Sequence, residues 1–360
     1  MSNSLWSAAR NVLCVRLDTI GDVLMTGPAL RALRAVVPDR RITLLTSRSG
    51  ARTGRLMPEV DDAIAYQAPW MKGEREPDPE PDRDMAGLLR TRSFDAAVIF
   101  TVYSQSPLPA ALLCHLAGIP LRLAHSRENP YLLLSDWVRE SEPDQEVRHE
   151  VRRQLDLVAA VGAVTPDERL ALEVPADARR RVARLLSEAG VDAGADWAVL
   201  HPGATAPSRR YPAERWAEVC AVLTRDHGVR VVLSGGADEI ELVEAVRRRA
   251  GTGASVAGRL DLAGLAALLE AAPLLLAGNS GPVHAAAAVG TPVVDVYALT
   301  NPQHTPWAVP SRVLFEDVPC RWCYRSVCPE GHHRCLLGVP AADVVDAALA
   351  LLRFRRLSHG

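Results

Sequence analysis

The segment RLDTIGDVLMTGPALRALR, residues 16–34, puts two carboxylates, Asp18 and Asp22, between a short apolar run and a helical pattern. An acid so placed can take a proton from a hydroxyl. Gly21 suits a tight backbone turn, and Asp22 falls at or next to the helix start, where the helix dipole favours a negative charge. On local grounds an ordinary helix cap is the better account of Asp22, and Asp18, at the same strand-end height, is the second candidate for a base.

Three loops in the second half carry a different chemistry. In HPGATAPSRRYPAERW, Gly203 lets a ligand approach the backbone, Thr205 and Ser208 offer hydroxyls, and Arg209 or Arg210 offers a planar fork of donors suited to phosphate. His201 in the same loop is better read as a structural histidine than as a catalytic one. SGGADE places Glu239 where ribose hydroxyls could donate to it, by analogy with other open α/β nucleotide sites. GNSGPVHAAAAVGTP sets Asn279, Ser280 and Gly281, with His284 one turn on, at the start of a small-residue helix whose amides and dipole make an anion site. Each glycine turn alone is common. Three at successive strand ends favour a site of diphosphate size, although none matches the dinucleotide or P-loop patterns.

A fourth constellation closes the chain: Cys320, Cys323, Cys328 and Cys335, with His332 and His333 between the last two. The ligand types and the opening CxxC are compatible with a structural zinc, but the irregular spacing favours reduced thiols. Cys14, Cys114 and Cys220 lie in apolar stretches and read as small core residues.

The elements that must hold these loops alternate short aliphatic runs with helical patterns, which implies parallel sheets covered by helices. Strands are expected at 12–16, 42–46 and 96–100, then a helix over 146–162 closing the first lobe. A second βα series begins at Trp197, with helices over 213–227, 238–249, 262–271 and 282–289. The 360 residues therefore divide into two doubly wound domains, 1–175 and 176–340, followed by a final helix in 341–360. PWMKGEREPDPEPDRD, residues 69–84, is rich in proline and charge and reads as a mobile loop. Net charge is −2, and of the 41 basic residues only Lys72 is lysine; a dedicated nucleic-acid or anionic-membrane surface is disfavoured. Residues 1–10 lack the pattern of a secretory signal, so the chain is expected in the cytoplasm, with at most peripheral contact to the inner membrane face.

VLCVRLDTIGDVLMTGPALRAL, HPGATAPSRRYPAERW, LSGGADE, GNSGPVHAAAAVGTPVVDVY and CRWCYRSVCPEGHHRCL, in that order, resemble glycosyltransferase family 9, the ADP-heptose:lipopolysaccharide heptosyltransferases. The resemblance implies a GT-B fold, two Rossmann-like domains facing a central cleft. The first domain would bind the acceptor and the second an ADP-sugar donor, and the last helix would pack back on the first. It also implies that Asp22 is the general base, against the local preference for a cap, and that Gly21, His201, Gly203, Ala204, Thr205, Arg209, Glu239, Asn279, Ser280, Gly281 and His284 serve the donor site. Arg209 stands where the family commonly has lysine, and Asn279 where it often has aspartate. The implied activity is inverting transfer of a heptose to a hydroxyl of a lipopolysaccharide-core or related glycan, lipid-linked or natural-product acceptor, with no required cofactor. A nucleotide-sugar epimerase or hydrolase, or a non-catalytic nucleotide-binding subunit, would suit the same fold.

Overall fold

The computed structural model describes residues 2–73, 76–191, 196–298, 300 and 302–359. The chain divides into two compact units, Met1–Ala171 and Leu172–Gly360.

The first unit carries strands β1 (Asn11–Arg16), β2 (Arg41–Thr46), β3 (Asp62–Ala65), β4 (Ala96–Ile99), β5 (Leu121–Ser126) and β6 (Asp136–Arg139). Its helices are α1 (Ser2–Ala8), α2 (Ile20–Val36), α3 (Arg48–Gly54), α4 (Glu80–Thr91), α5 (Leu108–Leu116) and α6 (Glu150–Ala159). In the second unit, α7 (Ala176–Glu188) precedes β7 (Trp197–His201), and α8 (Ala213–His227), β8 (Arg230–Leu233), α9 (Ile240–Ala250) and β9 (Ala254–Ser255) follow. Then come α10 (Leu262–Ala271), β10 (Leu275–Gly278), α11 (Gly281–Ala288), β11 (Val293–Val296), β12 (Ser311–Leu314), α12 (Arg334–Leu337) and α13 (Ala341–His359).

Both sheets are six-stranded and wholly parallel, ordered β3-β2-β1-β4-β5-β6 and β12-β11-β10-β7-β8-β9. Counted from its own first strand, each has the same doubly wound order. Such sheets bury both faces, which is why NVLCVR and WAVLH are continuous apolar runs rather than alternating ones. Strand order reverses between β1 and β4 in one sheet and between β7 and β10 in the other, and ligands of open α/β sheets bind beyond the carboxyl ends at that reversal. The turn 17–19 thus lies at one switch point, and the loops 202–212 and 279–280 lie at the other.

Local chemistry sets the element ends. Both α8 and α9 stop at a left-handed glycine, Gly228 at φ 67° and Gly251 at φ 66°, where a side chain would be strained. Asp261 caps α10 by accepting from Gly264 N at 2.8 Å.

Two expectations are corrected, one over residues 80–84 and one at Gly21. Residues 80–84 are not loop but the first turn of α4, because Leu89 behind them is fully buried and anchors the helix; Glu74 and Arg75 lie outside the described residues. Residues 2–8 form a helix held by buried Trp6, whose indole N–H donates to Asp136 at 3.0 Å. In α13, Val344, Val345, Ala348, Leu351 and Leu352 join the core of the second unit, beside Trp216, Leu276 and Val296. Gly21 makes no left-handed turn; it is the second residue of α2.

Candidate active site

In the first unit the chemistry is organised by Arg16, the last residue of β1, whose side chain is fully buried. A strand that runs apolar until its final residue delivers a guanidinium to the sheet's carboxyl edge. There Nη1 lies 2.7 Å from Glu150 Oε1, Nη2 lies 3.2 Å from Asp22 Oδ1, and Nε lies 2.9 Å from Asp18 Oδ2 as an ion pair without hydrogen-bond geometry. Glu150 begins α6 and is itself fully buried, with Gln154 donating to it from the next turn. Gln105, beyond β4, donates to Asp18 Oδ1 at 2.8 Å.

Three carboxylates thus share one buried cation. Burial pushes Asp18 above the ordinary carboxylate range, against the pull of Arg16, and the negative charge of Asp22 adds to the rise. Burial works to lower the Arg16 guanidinium, but Asp18, Glu150 and Asp22 together raise it, so it stays charged. Side-chain exposure separates the acids: 0 % for Glu150, 15 % for Asp18 and 23 % for Asp22. Asp22 is the most open of the three. As the third residue of α2 it stands in the helix's first turn but is not the cap that local grounds suggest; the cap residue is Thr19, whose hydroxyl donates to Asp22 Oδ2 at 3.5 Å.

In the second unit His201 ends β7 and is buried, with Nδ1 3.1 Å from Ser234 Oγ and Nε2 3.4 Å from Glu239 Oε2. Glu239 Oε2 also accepts from Gly236 N at 2.8 Å. The His201 hydrogen bond is the main influence that lowers the Glu239 carboxyl, with burial opposing it. Gly203 is what lets this carboxylate in: a Cβ there would stand 1.8 Å from Glu239 Oε1. Ala204 is buried behind it, and Thr205 is exposed.

The two adjacent arginines part company. Arg210 turns back to its own loop, donating through Nε to Ala204 O at 2.7 Å. Arg209 instead crosses to the start of α11, its Nη1 3.4 Å from Asn279 O. The crossing is close: a Cβ on Gly278 would lie 2.8 Å from Arg209 O. The cap residue of α11, Ser280, donates its hydroxyl to Gly278 O at 2.9 Å and makes no cap bond, which leaves the Gly281 end of the helix beside Arg209 for an anion. His284 is buried one turn on. Asn279 uses both ends of its amide on one backbone, donating from Nδ2 to Ala298 O at 2.8 Å and accepting from Ala298 N at 3.3 Å. That double bond is open to an amide and not to a carboxylate.

The structure gathers the candidates from residue 201 to residue 284 around the β7–β10 switch point, and Gly21 and Asp22 at the β1–β4 one. Sequence reasoning missed Arg16, Glu150 and Gln105, and passed over Asp295, a fully buried carboxylate in β11. Arg16 and Asp295 had a signal, each being a lone charge in an apolar strand; Glu150 had none.

The cysteine-bearing segment is also part of this architecture. His333 Nε2 donates to Ser208 O at 2.7 Å and Ser208 N donates to Ser326 O at 3.1 Å, so residues 326–333 brace the turn that carries Arg209. Within it Cys320 Sγ lies 3.6 Å from His332 Nε2, and Cys328 Sγ accepts from His333 N at 3.4 Å. Burial, and the neighbouring thiols after it, raise Cys335. Among the described residues no three histidine, cysteine or acidic side chains are grouped to hold a metal ion. Burial drives the isolated thiols of Cys14 and Cys114 up to about 12 and that of Cys220 to about 11, as expected of core residues.

Residues 84–333 match the family model described as glycosyltransferase family 9 (heptosyltransferase). The chain belongs to glycosyltransferase family 9. Lipopolysaccharide heptosyltransferase 2 of Escherichia coli K12 is 25% identical over 358 residues, spanning 95% of this chain and 98% of that one. A family 9 structure from Veillonella parvula superposes with a TM-score of 0.81 at 22% identity, over 96% of this chain and 98% of that one. E. coli heptosyltransferase WaaC with ADP-2-deoxy-2-fluoro heptose superposes at 0.68 with 21% identity, covering 93% and 98%. The fold of this family 9 glycosyltransferase is of the GT-B type, each unit being a Rossmann-like doubly wound sheet. No described helix is long and apolar enough to cross a membrane.

Proposed function

We propose that this glycosyltransferase transfers a heptose from ADP-heptose, with inversion at the anomeric carbon, to a hydroxyl of a lipopolysaccharide-core acceptor at the cytoplasmic face of the membrane. The observation that carries the donor half is Arg209, held over the start of α11 beside Gly281, where a guanidinium and helix amides meet two phosphates with complementary charge. His201, Gly203, Ala204, Thr205, Glu239, Asn279, Ser280 and His284 belong to the same donor site. The relatives' substrates favour ADP-heptose among nucleotide sugars.

Asp22 serves as base: it takes the proton of the acceptor hydroxyl as that oxygen attacks the anomeric carbon, and ADP leaves with its charge held by Arg209 and the α11 amides. Its exposure and its place in the first turn of α2 favour it over Asp18, and Gly21 lets α2 begin without a side chain beside it. The scheme needs no divalent ion, because the guanidinium and the helix dipole supply the positive charge.

The deciding experiment incubates the protein with a panel of ADP- and UDP-sugars, with and without heptose-deficient lipopolysaccharide core, following nucleotide release and product mass. Acceptor-dependent ADP release from ADP-heptose is the expected result. Donor consumption without acceptor would indicate a hydrolase or epimerase, and ADP binding without turnover a non-catalytic subunit.

A further inference from the structure

Glu150, the first residue of α6, is fully buried and so touches no substrate. Its Oε1 accepts from Arg16 Nη1 at 2.7 Å and from Gln154 Nε2, while Oε2 makes no hydrogen bond among the described residues. A buried ion pair of this kind commonly stabilises a fold no better than apolar side chains of similar volume, and an oxygen left without a donor adds a cost. The fold alone does not account for it.

What the pair holds is Asp22. Helices α2 and α6 pack together and present one acid each to the two terminal nitrogens of a single guanidinium. Nη2 lies 3.2 Å from Asp22 Oδ1, and Nη1 lies 2.7 Å from Glu150 Oε1. Arg16 is itself fully buried, and a planar guanidinium with both terminal nitrogens engaged has one orientation. From the turn between β1 and α2, Asp18 meets Arg16 Nε at 2.9 Å and Thr19 Oγ1 lies 3.5 Å from Asp22 Oδ2. From α6, the charge of Arg153 reaches Glu150 and Arg16, but its guanidinium is bonded to Glu140. Helix α3 meets α2 at Val23, through Gly50.

We infer that Glu150 is a positioning residue for the base, fixing the Arg16 guanidinium and offsetting its charge so that Asp22 is aimed and stays basic. The inference deepens the proposed function and rests on Asp22 as the base. A carboxylate against an unbalanced cation loses affinity for a proton. With Glu150 on the other terminal nitrogen, Arg16 directs Asp22 at a smaller loss.

The test reads the single-turnover rate against pH in the full chain, with ADP-heptose and heptose-deficient core, beside ADP calorimetry and Tm. Glu150→Gln keeps an acceptor for Arg16 and removes the charge. One negative charge fewer favours ionised Asp22, so the acid limb of the profile should move down by about one pH unit. The plateau should fall about tenfold, with ADP affinity unchanged. A merely structural role would lower Tm and leave the limb in place, and that result overturns the inference. In the Asp22→Asn background Glu150→Gln should leave the residual rate unaltered; a further tenfold loss there also overturns it. If Glu150→Gln does not fold, Gln154→Met takes its place, keeping the ion pair and removing the donor that orients Glu150. Its rate should fall about threefold with ADP affinity unchanged, and a wild-type rate overturns the inference. A wild-type rate in Asp22→Asn instead overturns the assignment of the base itself.

Discussion

Arg16 Nη2 lies 3.2 Å from Asp22 Oδ1, and six residues of chain separate the two. Strand β1 delivers the guanidinium and α2 returns the carboxylate to it, so the acid proposed as base is held by the strand that precedes it. Asp22→Asn keeps that contact through its amide oxygen while losing the basicity. Turnover should fall by about 10²–10⁴-fold with ADP affinity unchanged. Single-turnover kinetics beside ADP calorimetry check this, and a wild-type rate would transfer the role to Asp18.

The same guanidinium carries the second prediction. Arg16→Met leaves Asp18, Asp22 and buried Glu150 without their shared cation, which should cost about 3–5 kcal/mol. Arg16→Lys keeps the charge but cannot direct three nitrogens at three acids, and should fall between. Urea unfolding of the three proteins ranks them; equal midpoints would show that the cluster contributes nothing to stability.

How far the sequence revealed this site follows from how local each part is. Helix α8 was legible at both ends, Ala213 and His227, because Pro212 precedes it and Gly228 ends it. The loops at residues 203, 209, 239 and 279–281 were legible because glycine and charge cluster at strand ends. Glu150 was not, since it reaches Arg16 across 134 residues and nothing in EVRRQLDLV marks one acid from another. Helix α4 was misread because proline and charge in its first turn outweighed Leu88 and Leu89 behind them. The hydrogen bond of Asn279 was not legible for a similar reason: its partner, Ala298, lies nineteen residues away.

Gly203→Ala isolates the histidine–glutamate pair. The added methyl would occupy the place of Glu239 Oε1, driving the carboxylate from His201 and from Gly236 N. Donor KM and ADP Kd should rise about tenfold, with kcat and Tm much less affected. An unchanged KM would show that the donor does not use this corner of the site.

His125 makes acid sensitivity a property of the first unit. Burial, then the charge of Arg153, lowers its pKa to about 3, so the folded state holds it neutral while the unfolded chain protonates it near 6.5. Its contribution to stability is therefore full above pH 6.5 and declines as the pH drops toward 3, amounting to about 2 kcal/mol lost by pH 5. His125→Gln should show a shallower fall in Tm between pH 7 and pH 5 than wild type. Parallel curves would refute the assignment.

Restoring an acid at position 279 should harm the protein. Asn279→Asp cannot donate to Ala298 O, so a buried carbonyl loses its partner and a new carboxylate enters the interior. The lost bond alone costs about 1–3 kcal/mol, and each kcal/mol lowers Tm by about 2–4 °C in a unit of this size. Protonation relieves the new charge, so the defect should be largest at alkaline pH and shrink as the solution is acidified. Melting curves from pH 5 to pH 9 test both the size and the slope. A variant as stable as wild type across that range would mean that Ala298 finds another donor and that the Asn279 amide is not what joins β10 to the end of β11.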